Sequence, residues 1–162
     1  MAGGTALLAA RPAFAADYDP TTPAPQSRAA DHHYDRVVHD AARQRDTSVQ
    51  IRHSARRMRM PIILFSHGLG GSRHGSEYLE RWWTARGYVT VFLQHPGSDD
   101  AVWRNIAPGD RLPRNPNHHR AIESLSAAFW DSTIGRNPAA TAWLDSDLAR
   151  GVLGPADRWQ RK

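Results

Sequence analysis

The chain contains no cysteine, which removes disulfides, thiolate-ligated zinc and a cysteine nucleophile together. Lysine is nearly as scarce: Lys162, the last residue, is the only one, so the positive charge is almost wholly arginine. No apolar run approaches the ~18 residues a membrane-spanning helix needs, and no span is expected. No serine occupies a G-x-S-x-G frame, the pentapeptide that lifts a nucleophile onto a strand-to-helix elbow. Ser66 has Gly68 two places on but Leu64 two places back, and Ser72 has Gly70 behind it but His74 ahead. In Gly109-Asp110-Arg111-Leu112 an arginine stands where a GDSL-type hydrolase has its serine. Neither G-x-G-x-x-G nor G-x-x-x-x-G-K-[ST] occurs, so the glycines after Phe65 match no dinucleotide or phosphate loop.

What is present fits one domain. The 162 residues are 40% hydrophobic and 23% charged, enough for an ordinary globular core. A net charge of +5 raises the question of nucleic acid. The arginines are scattered, however, with only Arg56, Arg57 and Arg59 clustered. With abundant alanine this reads as a bias toward GC-rich codons, whereas a binding face needs a basic stripe. No nucleic-acid partner is expected. The pairs His32-His33 and His118-His119 invite a metal reading, but neighbours on a strand point to opposite faces and no helical i, i+4 set supports them. No metal and no cofactor are expected.

Residues 1–30 read as a clipped signal peptide and linker. Gly3 to Ala10 is small and mildly apolar, Ala13-Phe14-Ala15 fits the A-x-A cleavage pattern, and Asp19 to Ala30 is rich in Pro, Thr and Ser. No basic residue precedes the apolar stretch and Arg11-Pro12 interrupts it. The expected address is secreted or periplasmic, with a cytoplasmic protein bearing a disordered Ala/Pro-rich N-terminus as the alternative.

Residues 31–162 then read as an α/β domain. Tyr34 to His39 forms a first strand and Ala41 to Asp46 a turn. Thr47 to Arg52 alternates, with Val49 and Ile51 on one face and Ser48, Gln50 and Arg52 on the other, the pattern of a half-buried antiparallel strand. His53 to Arg59 makes a basic hairpin loop. Pro61 to Phe65 is continuously apolar, as in a strand buried on both faces of a mostly parallel sheet. Glu77 to Arg86 is an amphipathic helix with Tyr78, Leu79, Trp82 and Trp83 on its core side, stopped by Gly87. Tyr88 to Leu93 is a second buried strand, so Met60 to Leu93 makes one β-loop-α-β unit. Ala107 to His119 looks irregular. Ala121 to Trp130 and Ala139 to Leu148 look helical, with Ala142, Trp143 and Leu148 available to pack, and no pattern continues past Gly151.

The loop His67-Gly68-Leu69-Gly70-Gly71-Ser72 follows the first buried strand, at the sheet edge where ligands sit in open α/β folds. Attack on an ester carbonyl builds negative charge on oxygen, and fixed backbone N–H donors stabilise it by roughly 2.7–4 kcal/mol each. Glycines let such a loop turn sharply and let backbone approach substrate.

The run Ile63 to Asp100, ILFSHGLGGSRHGSEYLERWWTARGYVTVFLQHPGSDD, resembles the dienelactone-hydrolase-like and platelet-activating-factor-acetylhydrolase-like α/β-hydrolases, with bacterial polyester hydrolases more distant. The resemblance covers Tyr34 to Trp103, under half of the chain. It implies a partial α/β-hydrolase fold: the N-terminal strands of a mostly parallel sheet with flanking helices. It implies a serine-type carboxylic ester hydrolase in which the Leu69 N–H is an oxyanion donor. His67 and Gly68 would shape the turn, Gly70 and Gly71 would give clearance, and His95, Ser98 and Asp99 would line the substrate entrance. The family's triad histidine comes late in the chain, so His67 is expected to be a structural residue beneath the loop.

By the same resemblance the chain stops before its nucleophile elbow. The triad Ser, Asp and His would lie outside it, and the chain alone is expected to be inactive, its small-molecule ester substrate belonging to the full-length form. The Pro61–Ser66 strand would lack its partner on one side and invite self-association through the uncovered edge. The other class of reading is a non-catalytic binding or interaction protein, or a degenerate remnant of a hydrolase.

Overall fold

A computed structural model describes residues 18–22, 31–55, 59–68, 71–95 and 115–160. β1 (Asp31–Asp40) and β2 (Arg45–Ser54) form an antiparallel hairpin; β3 (Ile62–Ser66), α1 (Glu77–Ala85) and β4 (Val89–Leu93) follow. Three helices come after them, α2 (Pro116–Thr133), α3 (Pro138–Asp145) and the single turn α4 (Asp147–Arg150). The sheet order is β1-β2-β4-β3. β2 pairs antiparallel with β4, and β3 lies parallel to β4 with Ser66 opposite Leu93. The β-loop-α-β unit over Met60 to Leu93 is therefore present, and β3/β4 is the one parallel pair among the described strands. His53 to Arg59, expected as a hairpin loop, instead joins β2 to a strand that is not its neighbour, because β4 inserts between them.

Local chemistry explains the helix ends. Gly87, at φ 94, donates its N–H to the Thr84 carbonyl, and Tyr88 donates to that of Trp83. This crossed pair of bonds needs a left-handed residue at the first position past the cap. α2 begins at Pro116, four residues inside the segment expected to be irregular. Asn115 caps it, its side chain accepting from the Asn117 N–H with proline in the first turn. The helix expected over Ala139 to Leu148 is two pieces. Ser146 is extended (ψ 169) and caps α4 by accepting from the Leu148 N–H, because a serine oxygen competes with the backbone carbonyl for that donor. The break leaves Leu148 exposed and puts Ala149 in the core beside Trp143.

α1 packs on β2 and β4, and Ile63, Leu79, Trp83, Tyr88 and Phe92 form the core between them. A second cluster, around Ala121, Ala128, Trp143 and Val152, holds the helices together. The two meet where Trp83 donates to Ser126 Oγ at 2.9 Å. Asp131 of α2 ties the N-terminal segment down. It accepts from Tyr18 at 2.6 Å, Tyr88 at 2.8 Å and Arg86 at 3.3 Å. Burial, then the bond to Asp131, pushes both tyrosine hydroxyls well above their usual range.

Two expectations about faces are corrected. β3 is not buried on both sides: Ile63 is 2% exposed, but Ile62 and Leu64 are each 63% exposed. No described helix packs on that face, and β3 is an outer strand of the described sheet. On β2 both faces contribute buried residues: Gln50 is 2% and Arg52 3% exposed under α1, while on the other face Val49 is 3% exposed and Ile51 half-buried. Arg52 can be buried because α1 supplies Glu80, fully buried, whose Oε2 accepts from Arg52 Nε at 3.0 Å. Asp31 at 2.8 Å and Glu77 at 3.3 Å complete the arrangement. A paired, hydrogen-bonded charge tolerates burial that an isolated one does not.

Candidate functional site

The carboxyl ends of β3 and β4 come out side by side because the strands are parallel and in register. The residues leaving them, Ser66-His67-Gly68 and Gln94-His95, therefore share one edge of the sheet. His67 is buried between the two chain exits. Its Nδ1 lies 2.9 Å from the Gly68 carbonyl oxygen, and the His95 backbone N–H donates to its Nε2 at 3.3 Å. A ring nitrogen that receives an N–H bond carries no proton, so in the neutral ring the proton is on Nδ1 and is donated to Gly68. The His67 and His95 rings meet edge-to-face, 4.7 Å between centroids.

The loop after His67 is closed by a hydrogen bond from the Gly71 N–H to the Gly68 carbonyl at 3.0 Å. Its two central residues, Leu69 and Gly70, lie outside the described residues, as do Ser98 and Asp99. The described glycines differ. A Cβ on Gly71 would fall 2.9 Å from His67 Cβ and 3.1 Å from the Gly68 oxygen, whereas a Cβ on Gly68 would meet nothing within 4 Å. Gly71 is required by close approach; at Gly68 the space is open. The next residues are also held: Gln94 Oε1 accepts from the Arg73 N–H at 2.9 Å, linking the β4 exit to the start of the α1 turn.

One contact escaped the sequence reading. Ser66 Oγ lies 2.7 Å from His95 Nε2, and Ser66 is exposed. A search for G-x-S-x-G passes over this serine, because Leu64 stands where the first glycine belongs, and its partner is 29 positions away. The available sign was positional: each residue sits at or just past the end of one of two strands expected to run parallel.

The remaining histidines do other work. His32 packs on His53 at 5.0 Å on the open face; His33 points the other way, 4.0 Å from Glu80; His119 stacks on Tyr78 at 4.0 Å. Among the described residues no group of three His, Cys, Asp or Glu is arranged to hold a metal ion, and no helix is long and apolar enough to cross a membrane.

No protein-family model matches the chain, and no curated relative does. Among solved structures it is similar to the crystal structure of dienelactone hydrolase from Anabaena variabilis, at 16% identity and a TM-score of 0.38. The match covers 67% of this chain and 48% of that one, so this chain spans about half of that protein's length. The class is α/β on the evidence of its own elements, a four-stranded mixed sheet with flanking helices.

Proposed function

We propose that this chain carries the oxyanion-binding side of a carboxylic ester hydrolase site and, without an elbow serine, does not sustain ester turnover. The observation that carries the reading is the Gly68–Gly71 turn, seated on the His67 ring and set at the carboxyl edge beside His95. Amides on such a turn can face charge developing on a carbonyl oxygen. In this reading the Leu69 N–H is the donor, His67 and Gly68 shape the turn, Gly70 and Gly71 give clearance, and His95, Ser98 and Asp99 border the substrate. A preorganised donor strengthens its hold as the oxygen becomes anionic, which is where catalytic benefit arises. Without a serine on a nucleophile elbow that benefit is small.

A stable anion tests the loop directly. Titration of the protein with phenylphosphonate, followed by amide NMR, should shift Gly68, Leu69 and Gly71 together with His95. Shifts scattered over surface arginines, with those amides unmoved, would overturn the assignment. Sustained turnover of an aryl ester at an esterase's rate would overturn the claim of inactivity. The same proposal includes self-association, since Ile62 and Leu64 lie exposed on the outer strand.

A further inference from the structure

Ser66 and His95 form a pair whose chemistry the oxyanion reading does not use. Ser66 ends β3, His95 stands two residues past β4, and register brings Oγ and Nε2 to 2.7 Å. The His95 backbone is anchored by its N–H to His67 Nε2, and the imidazole itself packs edge-to-face against the His67 ring. A hydroxyl within hydrogen-bond reach of a base that a third group orients is the arrangement that activates serine. Ser66 is exposed, so an electrophile can reach it, and the space next to Gly68 is open. A purely structural tie between the two strand ends would need the same distance. It would not need the serine to face solvent.

We propose that Ser66 is a nucleophile with His95 as its general base, able to take the acyl group of an activated carboxylic ester. The proposal rests on the ester reading above and extends it to a covalent step. Ser66 Oγ bonds to the carbonyl carbon while its proton passes to His95 Nε2. The bond from that carbon to the aryl oxygen breaks, and the leaving phenolate takes the proton back from the imidazolium. The products are O-acyl-Ser66, a phenol and neutral His95. No metal, oxidant or reductant is required.

The test uses the full chain and p-nitrophenyl acetate. Intact mass should show one acetyl group, and peptide mapping should place it on Ser66. Ser66→Ala should lose the adduct, and His95→Gln should slow its formation by about 100-fold or more, the low end of what a positioned general base provides. A second variant keeps the proposal open to refutation if Ser66→Ala folds poorly. Because the chain has no cysteine, Ser66→Cys installs a sole thiol. Beside His95 its alkylation by iodoacetamide should proceed well below the pH at which a free thiol ionises, about 8.5, and His95→Gln should abolish that advantage. Acetylation elsewhere, labelling of Ser66 at the same rate in His95→Gln, or a thiol that reacts as a free cysteine would each overturn the dyad. Phenylphosphonate reads the loop separately. If the dyad fails while the loop amides still respond, the oxyanion reading stands; if the amides stay silent while Ser66 is labelled, that reading alone falls.

Discussion

Ile63 and Leu64 are consecutive residues of one strand, equally apolar, and one is in the core while the other faces out. The contrast extends across the sheet. The face under α1 holds Ile63, Thr90 and Phe92, but also Gln50 and Arg52, with Glu80 descending from the helix. The open face carries Ile62 and Leu64 with Val89, Val91, Ile51 and Tyr34 in register beside them. The covered face is thus the one with the buried charges. Strand alternation states that two faces differ; which of them a helix covers depends on what that helix brings.

The largest effects should come from the covered face. Arg52→Met removes the hydrogen bond to the Glu80 carboxylate, whose Oε1 has no partner among the described residues. Leaving a buried carboxylate unpaired costs about 3–5 kcal/mol, measurable by urea unfolding. The double variant Arg52→Met, Glu80→Leu should recover most of that loss, because a packed apolar pair replaces the ions. If Arg52→Met unfolds like the parent, the buried pair is not what orients this face. Next comes Ile63→Ala, expected to cost about 2–5 kcal/mol through lost burial and a cavity.

Acid should expose the same face more gently. The bond from Arg52 holds the Asp31 carboxyl below its ordinary 3.8, and the bond from Arg81 holds Glu77 below 4.5. A carboxyl depressed in the folded state adds stability in full above its unfolded value and loses it as pH falls through the folded one. Both groups are well exposed, so solvent screens them and the effect is modest. Thermal midpoints should be flat above about pH 5 and fall below pH 4, less steeply in Arg52→Met. Equal slopes in the two proteins would remove Arg52 from the account.

These contrasts also mark what the sequence could tell. The β-loop-α-β unit was legible because apolar strand, glycine stop and helix period each follow from local rules, and Gly87 is a case where φ demanded the residue. The helix core side was legible for Leu79 and Trp83 but not for Glu80, since a buried carboxylate is intelligible only once Arg52 is seen opposite. α2's early start was written in Asn115-Pro116, a cap and first-turn pair lost within a proline-rich run. At the site, the clustering of His67 with His95 and the Ser66 contact depend on strand register, which neither motif nor spacing contains.

The smallest effect is expected at Leu64, and it is the sharper test of the open face. Its side chain is mostly in water in the described chain, so Leu64→Ser should change stability by no more than about 0.5 kcal/mol, as surface substitutions do. It should nevertheless change behaviour. An outer strand with exposed apolar side chains offers both backbone groups and surface to another copy. Light scattering over a concentration series should show the parent associating and Leu64→Ser dispersed. Two alternatives have distinct signatures. A loss of several kcal/mol would mean that the face is covered after all, by chain outside the described residues. Unchanged stability with unchanged scattering would mean that the face is open but copies do not meet along it. Paired with Ile63→Ala, one residue away, the measurement isolates the consequence of facing one way rather than the other.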